Sequence, residues 1–250
     1  MTRRPFEDAS ARETAPFAAR DLARHPRALH TEYKTSVTRA PRLAPIALSA
    51  TPSEITGPAF PRQLIGPLDA DMLMNFGTAG ESAIGERIVV HGHVLDGEGR
   101  GMPGCLLEFW QANAGGRYRH AREGYDAPLD PNFGGTGRCL TGEGGRYALR
   151  TVRPGAYPWP NGANDWRPAH IHFSVFGHGF AQRLVTQMYF EGDPMIAMCP
   201  IVRTIADETV VSSLVGRLDM ANTVPMDARA YRFDIVLRGR RGTWFEGIGR

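Results

Sequence analysis

Lysine is nearly absent from this chain. Of 250 residues, 29 are Lys or Arg, and Lys34 is the one lysine among them. Schiff-base chemistry therefore has a single candidate nucleophile. Cysteine is scarce too: Cys105, Cys139 and Cys199 lie far apart, with no Cys-x-x-Cys pair. An odd, scattered set argues against a disulfide framework or a cysteine-rich zinc site and fits a reducing compartment. No apolar run approaches the roughly 20 residues that a membrane span requires. The opening MTRRPFEDASARETAPF lacks the apolar stretch of a secretory signal, so a cytoplasmic location is the expectation. A net charge of +3 is too small for a nucleic-acid footprint. No Gly-x-Gly-x-x-Gly opens onto a helical pattern and no Walker sequence is present, which removes the usual phosphate-binding loops.

Turn residues are abundant, with 29 Gly and 19 Pro. That is too few for a disordered chain and too many for a helical bundle. The expected fold is all-β: a β-sandwich core with a long extended N-terminal arm and one or two short helices. Residues 1–80 lack sustained periodicity and read as the arm, with one short helix near Pro16–Leu22. Residues 81–250 read as the sandwich. RIVVHGHVLD alternates, meets the turn DGEGRGMPG and continues as CLLEFWQAN, a hairpin pattern. A second L-x-G-E-G turn recurs in LTGEGGRYALRTVRP. Further strands are expected at Ala169–Gly177, Arg183–Gly192 and Tyr231–Gly239. One amphipathic helix is expected at Asp207–Met220, with Val210, Val211, Leu214 and Leu218 on one face.

Two His-x-His pairs stand out. In RPAHIHFSVFG, His170 and His172 share one strand face, about 6.6 Å apart along the chain. Ala169, Ile171, Phe173 and Val175 take the core face. The pair His91 and His93 has the same spacing but no Pro, Arg or aromatic cluster around it, and reads as structural. The His170 pair follows a Pro/Gly-rich loop carrying Tyr157, Trp159 and Trp166, with Arg167 three residues before it. Large aromatics in a loop need burial or a task. A second aromatic loop, GGRYRHAREGY, offers Tyr118, His120 and Tyr125.

The residue types narrow the metal. No carboxylate follows the pair at the spacing of a cupin or a ferrous facial triad; Phe176 and Gly177 stand there. Zinc would recruit a third His or a Cys. Tyrosine is what lies near. A phenol with a pKa of about 10 ligates well only when a highly charged, hard cation displaces its proton. Ferric iron fits, its three charges balanced by two tyrosinates and one hydroxide.

The segments HPRALHTEYKTSVTRAPR, IGERIVVHGHVLD, EFWQANAGGRYRH, APLDPNFGGTGRCLT, PGAYPWPNGANDWRPAHIHF and QMYFEGDPMIAMCPIV carry a resemblance over nearly the whole chain. It resembles the intradiol ring-cleaving ferric dioxygenases, and within them the β subunits acting on protocatechuate. The resemblance implies one non-haem Fe(III) per β chain, held by Tyr118, Tyr157, His170 and His172. It implies Arg167 and Gln187 beside the substrate, Tyr157 as a displaceable ligand and internal base, and Tyr33 and Trp159 as pocket residues. It implies cleavage of protocatechuate with O2 to 3-carboxy-cis,cis-muconate in the β-ketoadipate pathway. It also implies an α-subunit partner in a higher αβ oligomer, without nucleic acid or membrane. Another substituted catechol, such as a sulfonated one, and a non-catalytic binding subunit stay open as alternatives.

Overall fold

The computed structural model describes residues 29–40, 60–178, 183–237 and 242–243. Strand β1 (Arg87–Leu95) alternates as its sequence predicts: Ile88, Val90 and Val94 are buried, while His91 and His93 point the other way. β4 (Arg146–Val152) pairs antiparallel along one edge of β1. β10 (Arg229–Arg232) and then β11 (Ile235–Val236) pair parallel along the other edge. The second layer is built on β7 (His170–Phe176), which pairs antiparallel with β2 (Leu106–Trp110) and β8 (Arg183–Phe190). β3 (Thr136–Leu140) extends this layer beyond β2. β9 (Val215–Leu218) joins the two halves, parallel to β8 and antiparallel to β10. A short ribbon, β5 (Tyr157–Pro158) with β6 (Trp166–Arg167), stands apart.

The expected β-sandwich is present. Ile88, Val90 and Leu149 of one layer share a core with Leu107, Phe109, Ile171, Phe173 and Val175 of the other. Phe173 sits at its centre, meeting Tyr147 at 6.0 Å and Phe233 at 5.4 Å between ring centroids. Each such fully buried side chain contributes roughly 1.5–3 kcal/mol of transfer free energy. Met72 and Leu73, inside the segment read as an arm, also lie in this core.

Three expectations need correction. β1 and β2 are not a hairpin; they belong to opposite layers. The DGEGR turn does fold back, with the Met102 amide donating to Val94 O at 2.8 Å, but only that far. Pro103 has no N–H to extend the ladder, and Gly104, at φ +75°, turns the chain into the other layer. The second L-x-G-E-G turn likewise connects β3 to β4 across the layers. The two turns pack together: a Cβ on Gly145 would lie 2.6 Å from the Met102 nitrogen.

The helix expected at Asp207–Met220 is a single turn, α2 (Glu208–Ser212), followed by β9. Thr209, Val210, Val211 and Val215 are β-branched and weak helix formers. Pairing of Val215–Leu218 between β8 and β10 outweighs the helical pattern, although Val210 and Leu214 are buried as that pattern required. The strand expected at Tyr231–Gly239 breaks at Phe233–Asp234, where the Asp234 carboxylate accepts from the His93 amide at 2.9 Å. Its end, 238–239, and the helix expected at Pro16–Leu22 lie outside the described residues. The described part of the arm carries helix α1 (Lys34–Arg39).

Candidate metal centre

Strand register brings the site together. In β7, His170 stands opposite Tyr189 and His172 opposite Gln187 of β8, while Trp110 of β2 flanks His172 on the other side. The β5–β6 ribbon sets Tyr157 opposite Arg167. Tyr118 arrives on a separate loop. Asn113 shapes that loop, its Oδ1 accepting from the amides of Gly115 and Arg117 at 2.9 and 3.0 Å. Gly116, at φ +84°, has no Cβ to collide with the Ala156 carbonyl, so the two tyrosine-bearing loops run side by side.

Four donor atoms converge. Tyr118 Oη lies 3.5 Å from His170 Nε2 and 3.2 Å from His172 Nε2, and Tyr157 Oη lies 3.4 Å from His170 Nε2. Donors bound to one ion at about 2.0–2.2 Å stand roughly 3–3.5 Å from each other, so these spacings fit one shared cation. His170 is buried, and its Nδ1 bonds to Pro168 O at 2.7 Å. A carbonyl only accepts, so Nδ1 carries the proton and Nε2 turns its lone pair toward the phenols. Burial holds the His170 pKa well below the ordinary imidazole range, and the charge of Arg167 and then of His172 adds to this. His170 is therefore neutral and ready to ligate at neutral pH. His172 is fixed by stacking on Trp110, with ring centroids 4.8 Å apart and planes 2° apart. Among the described residues no group of three or more His, Cys, Asp or Glu could hold a metal. Tyr118 and Tyr157 are the further donors beside the two histidines, and a phenol-rich donor set suits a hard trivalent cation.

Beside the donors lies a buried polar group. Arg167, 3% exposed, donates to Gln187 Oε1 and, at 3.4 Å, to Tyr189 Oη. Tyr189 Oη donates to Gln187 Oε1 at 3.2 Å. Gln187 is fully buried, and its Nε2 has no hydrogen-bond partner among the described residues. A buried amide donor left open is costly unless something else accepts from it. The Arg167 guanidinium stands 5.6 Å from the Trp159 ring centroid, and Trp159 meets Tyr33 of the arm edge-on at 5.4 Å.

Tyr118, Tyr157, His170, His172, Arg167, Gln187, Trp159 and Tyr33 thus form one connected cluster. His91 and His93 stand apart, each beside a carboxylate: Asp219 at 3.1 Å and Asp234 at 3.2 Å. Trp110 and Tyr189 were missed in the sequence. Tyr189 shares a strand face with Gln187 and was within reach of the alternation; Trp110 required the β2–β7 register.

The chain belongs to the dioxygenase family, in its intradiol ring-cleaving branch. Residues 55–239 match the family model described as "Dioxygenase". Residues 18–51 match "Protocatechuate 3,4-dioxygenase beta subunit N terminal". More particularly, the chain is 48% identical over 227 residues to the protocatechuate 3,4-dioxygenase beta chain of Burkholderia cepacia, covering 91% of this chain and 96% of that one. It is 32% identical to the alpha chain of the Pseudomonas putida enzyme of that name, over 79% of this chain and 96% of that one. Among solved structures, 3-chlorocatechol 1,2-dioxygenase from Rhodococcus opacus 1CP matches with a TM-score of 0.50 and 28% identity. That match covers 74% of this chain and 72% of that one.

Proposed function

We propose that this chain is the iron-bearing β-type subunit of an enzyme that cleaves protocatechuate between its hydroxyl-bearing carbons with O2. The product is 3-carboxy-cis,cis-muconate, on the β-ketoadipate route of aromatic breakdown in the cytoplasm. The reading includes an α-type partner chain. The observation that carries it is the convergence of Tyr118, Tyr157, His170 and His172 in a chain so similar to a protocatechuate 3,4-dioxygenase beta chain.

Those four residues would hold one Fe(III). When bound, it supplies the Lewis acidity that stabilises a catechol as its dianion and draws electron density from the ring. The protein's own groups do the rest. Tyr157, as phenolate, would take one of the two catechol protons on Oη and give up its place in the donor set, and the charge-balancing hydroxide would take the other. His170 and His172 stay fixed through Pro168 O and the Trp110 ring, so the exchange of donors falls to tyrosine. Arg167 stabilises negative charge that develops on the substrate oxygens, in a buried setting where such a charge acts strongly. Gln187 holds Arg167 through Oε1 and offers Nε2 to substrate or O2. Trp159 and Tyr33 wall the pocket against water.

The test is metal content and the visible spectrum of the purified protein. One iron per chain with a red-brown tyrosinate band is expected. His172→Ala should lose both and His91→Ala neither. Stoichiometric zinc without colour, or equal loss in the two variants, would defeat the assignment.

A further inference from the structure

Asn161 lies in the loop between β5 and β6, is 4% exposed, and reaches the arm from a sequence distance of more than a hundred residues. Its Oδ1 accepts from the Lys34 amide at 2.9 Å. Its Nδ2 donates to Glu32 O at 2.8 Å and to the Asp165 carboxylate at 2.8 Å. One carboxamide thereby uses three of its four hydrogen-bonding positions. Glu32 and Lys34 flank Tyr33, so a single side chain grips the peptide groups on both sides of that tyrosine. The grip fixes the direction in which Tyr33 leaves the backbone, onto Trp159. Trp159 in turn lies next to the Arg167 guanidinium. The arm has a second anchor: Tyr33 and Trp159 pack against the apolar cluster that contains Tyr189, Ile201 and Ile205. Apolar contact is non-directional. Within the arm, Arg39 donates to Tyr33 Oη and lies 5.1 Å from its ring centroid; Asn161 ties the backbone on both sides of Tyr33 to the β5–β6 loop.

We propose that Asn161 is a positioning residue that latches the arm over the pocket and thereby sets substrate affinity, while the metal donors, none of which it touches, are held without it: Tyr157 by the β5–β6 pairing, His170 and His172 by β7. The inference rests on the proposed catechol site. It deepens that reading by assigning arm closure to one carboxamide.

The experiment uses the iron-loaded full-length chain in the complex it forms when co-expressed with an α-type chain. Amide hydrogen exchange over residues 29–40 is measured alongside kinetics with protocatechuate. In Asn161→Ala, exchange of the arm should rise at least tenfold. KM should rise about tenfold, the scale of losing two partly buried hydrogen bonds. kcat should change less than threefold, and iron content and the visible band should be retained. A second variant separates the arm from the loop. Asn161→Asp combined with Asp165→Asn rebuilds the 161–165 contact with donor and acceptor exchanged, but leaves Glu32 O without its donor. Its KM should stay high.

Unchanged arm exchange in Asn161→Ala would overturn the proposal. So would faster exchange with an unchanged KM, a KM restored by the exchanged pair, or a collapse of kcat with loss of iron. If the unsubstituted complex fails to turn over protocatechuate, it is the proposed function that fails. Arm exchange still decides the latch, with a rise supporting it and no change refuting it.

Discussion

Gln187→Leu removes an acceptor from beneath a buried cation. Gln187 Oε1 receives Arg167 Nη2 and, at 3.2 Å, Tyr189 Oη, in a place without solvent access. A hydrogen bond from a charged donor is worth about 1.5–3 kcal/mol and one from a neutral hydroxyl about 0.5–1.5, so about 2–4.5 kcal/mol is lost. The same change removes Gln187 Nε2, which has no partner among the described residues. Relief of that desolvation returns about 1–3 kcal/mol. The net cost is about 1–2 kcal/mol, which for a chain of this size lowers Tm by roughly 2–8 °C. Leucine nearly matches glutamine in shape, so little cavity is added. The functional loss should exceed the structural one, because Arg167 loses its orientation and the substrate loses the Nε2 donor: kcat/KM should fall about a hundredfold, the scale of a misplaced catalytic group. Gln187→Glu keeps an acceptor for Arg167 and should retain more activity than Gln187→Leu. Thermal denaturation and steady-state O2 uptake on both variants make the check. Wild-type kcat/KM in Gln187→Leu, or a greater loss in Gln187→Glu, would rule out this role for Gln187.

Phe173→Ala should cost about 3–5 kcal/mol, since Phe173 is fully buried against Phe109, Tyr147 and Phe233, whereas exposed Leu218→Ala should stay within about 0.5 kcal/mol; urea unfolding of both shows whether the packing carries this weight. Burial pushes the Cys105 thiol up to about 11 and Cys139 up to about 12. Both should therefore resist a thiol-disulfide reagent at pH 8 in the folded protein and react once denatured; rapid labelling of the native chain would contradict the burial.

Local spacing makes part of the site legible in the sequence; the full donor set, Gln187 and Tyr33 come only with the family resemblance. His170 and His172 share a face at i and i+2 whatever the rest of the sheet does. Tyr157, Trp159 and Arg167 sit in the loop just before them. Long-range pairing was not legible. The hairpin signal at DGEGR was real as a turn, yet Pro103 and Gly104 redirect the chain, and only the assembled sandwich shows that β1 and β2 face each other across the core. At Val215–Leu218 a helical pattern yielded to two waiting strand edges, β8 and β10. Trp110 on His172 and Asn161 on the arm are both tertiary contacts, and neither leaves a mark in the residues next to it.

O2 uptake by the iron-loaded complex with protocatechuate, with the product identified, asks whether this chain carries the centre for intradiol cleavage of that substrate. One O2 consumed per substrate and formation of 3-carboxy-cis,cis-muconate is the expected result. No uptake, uptake only with a different catechol, or a yellow ring-opened semialdehyde from cleavage outside the two hydroxyls would contradict it.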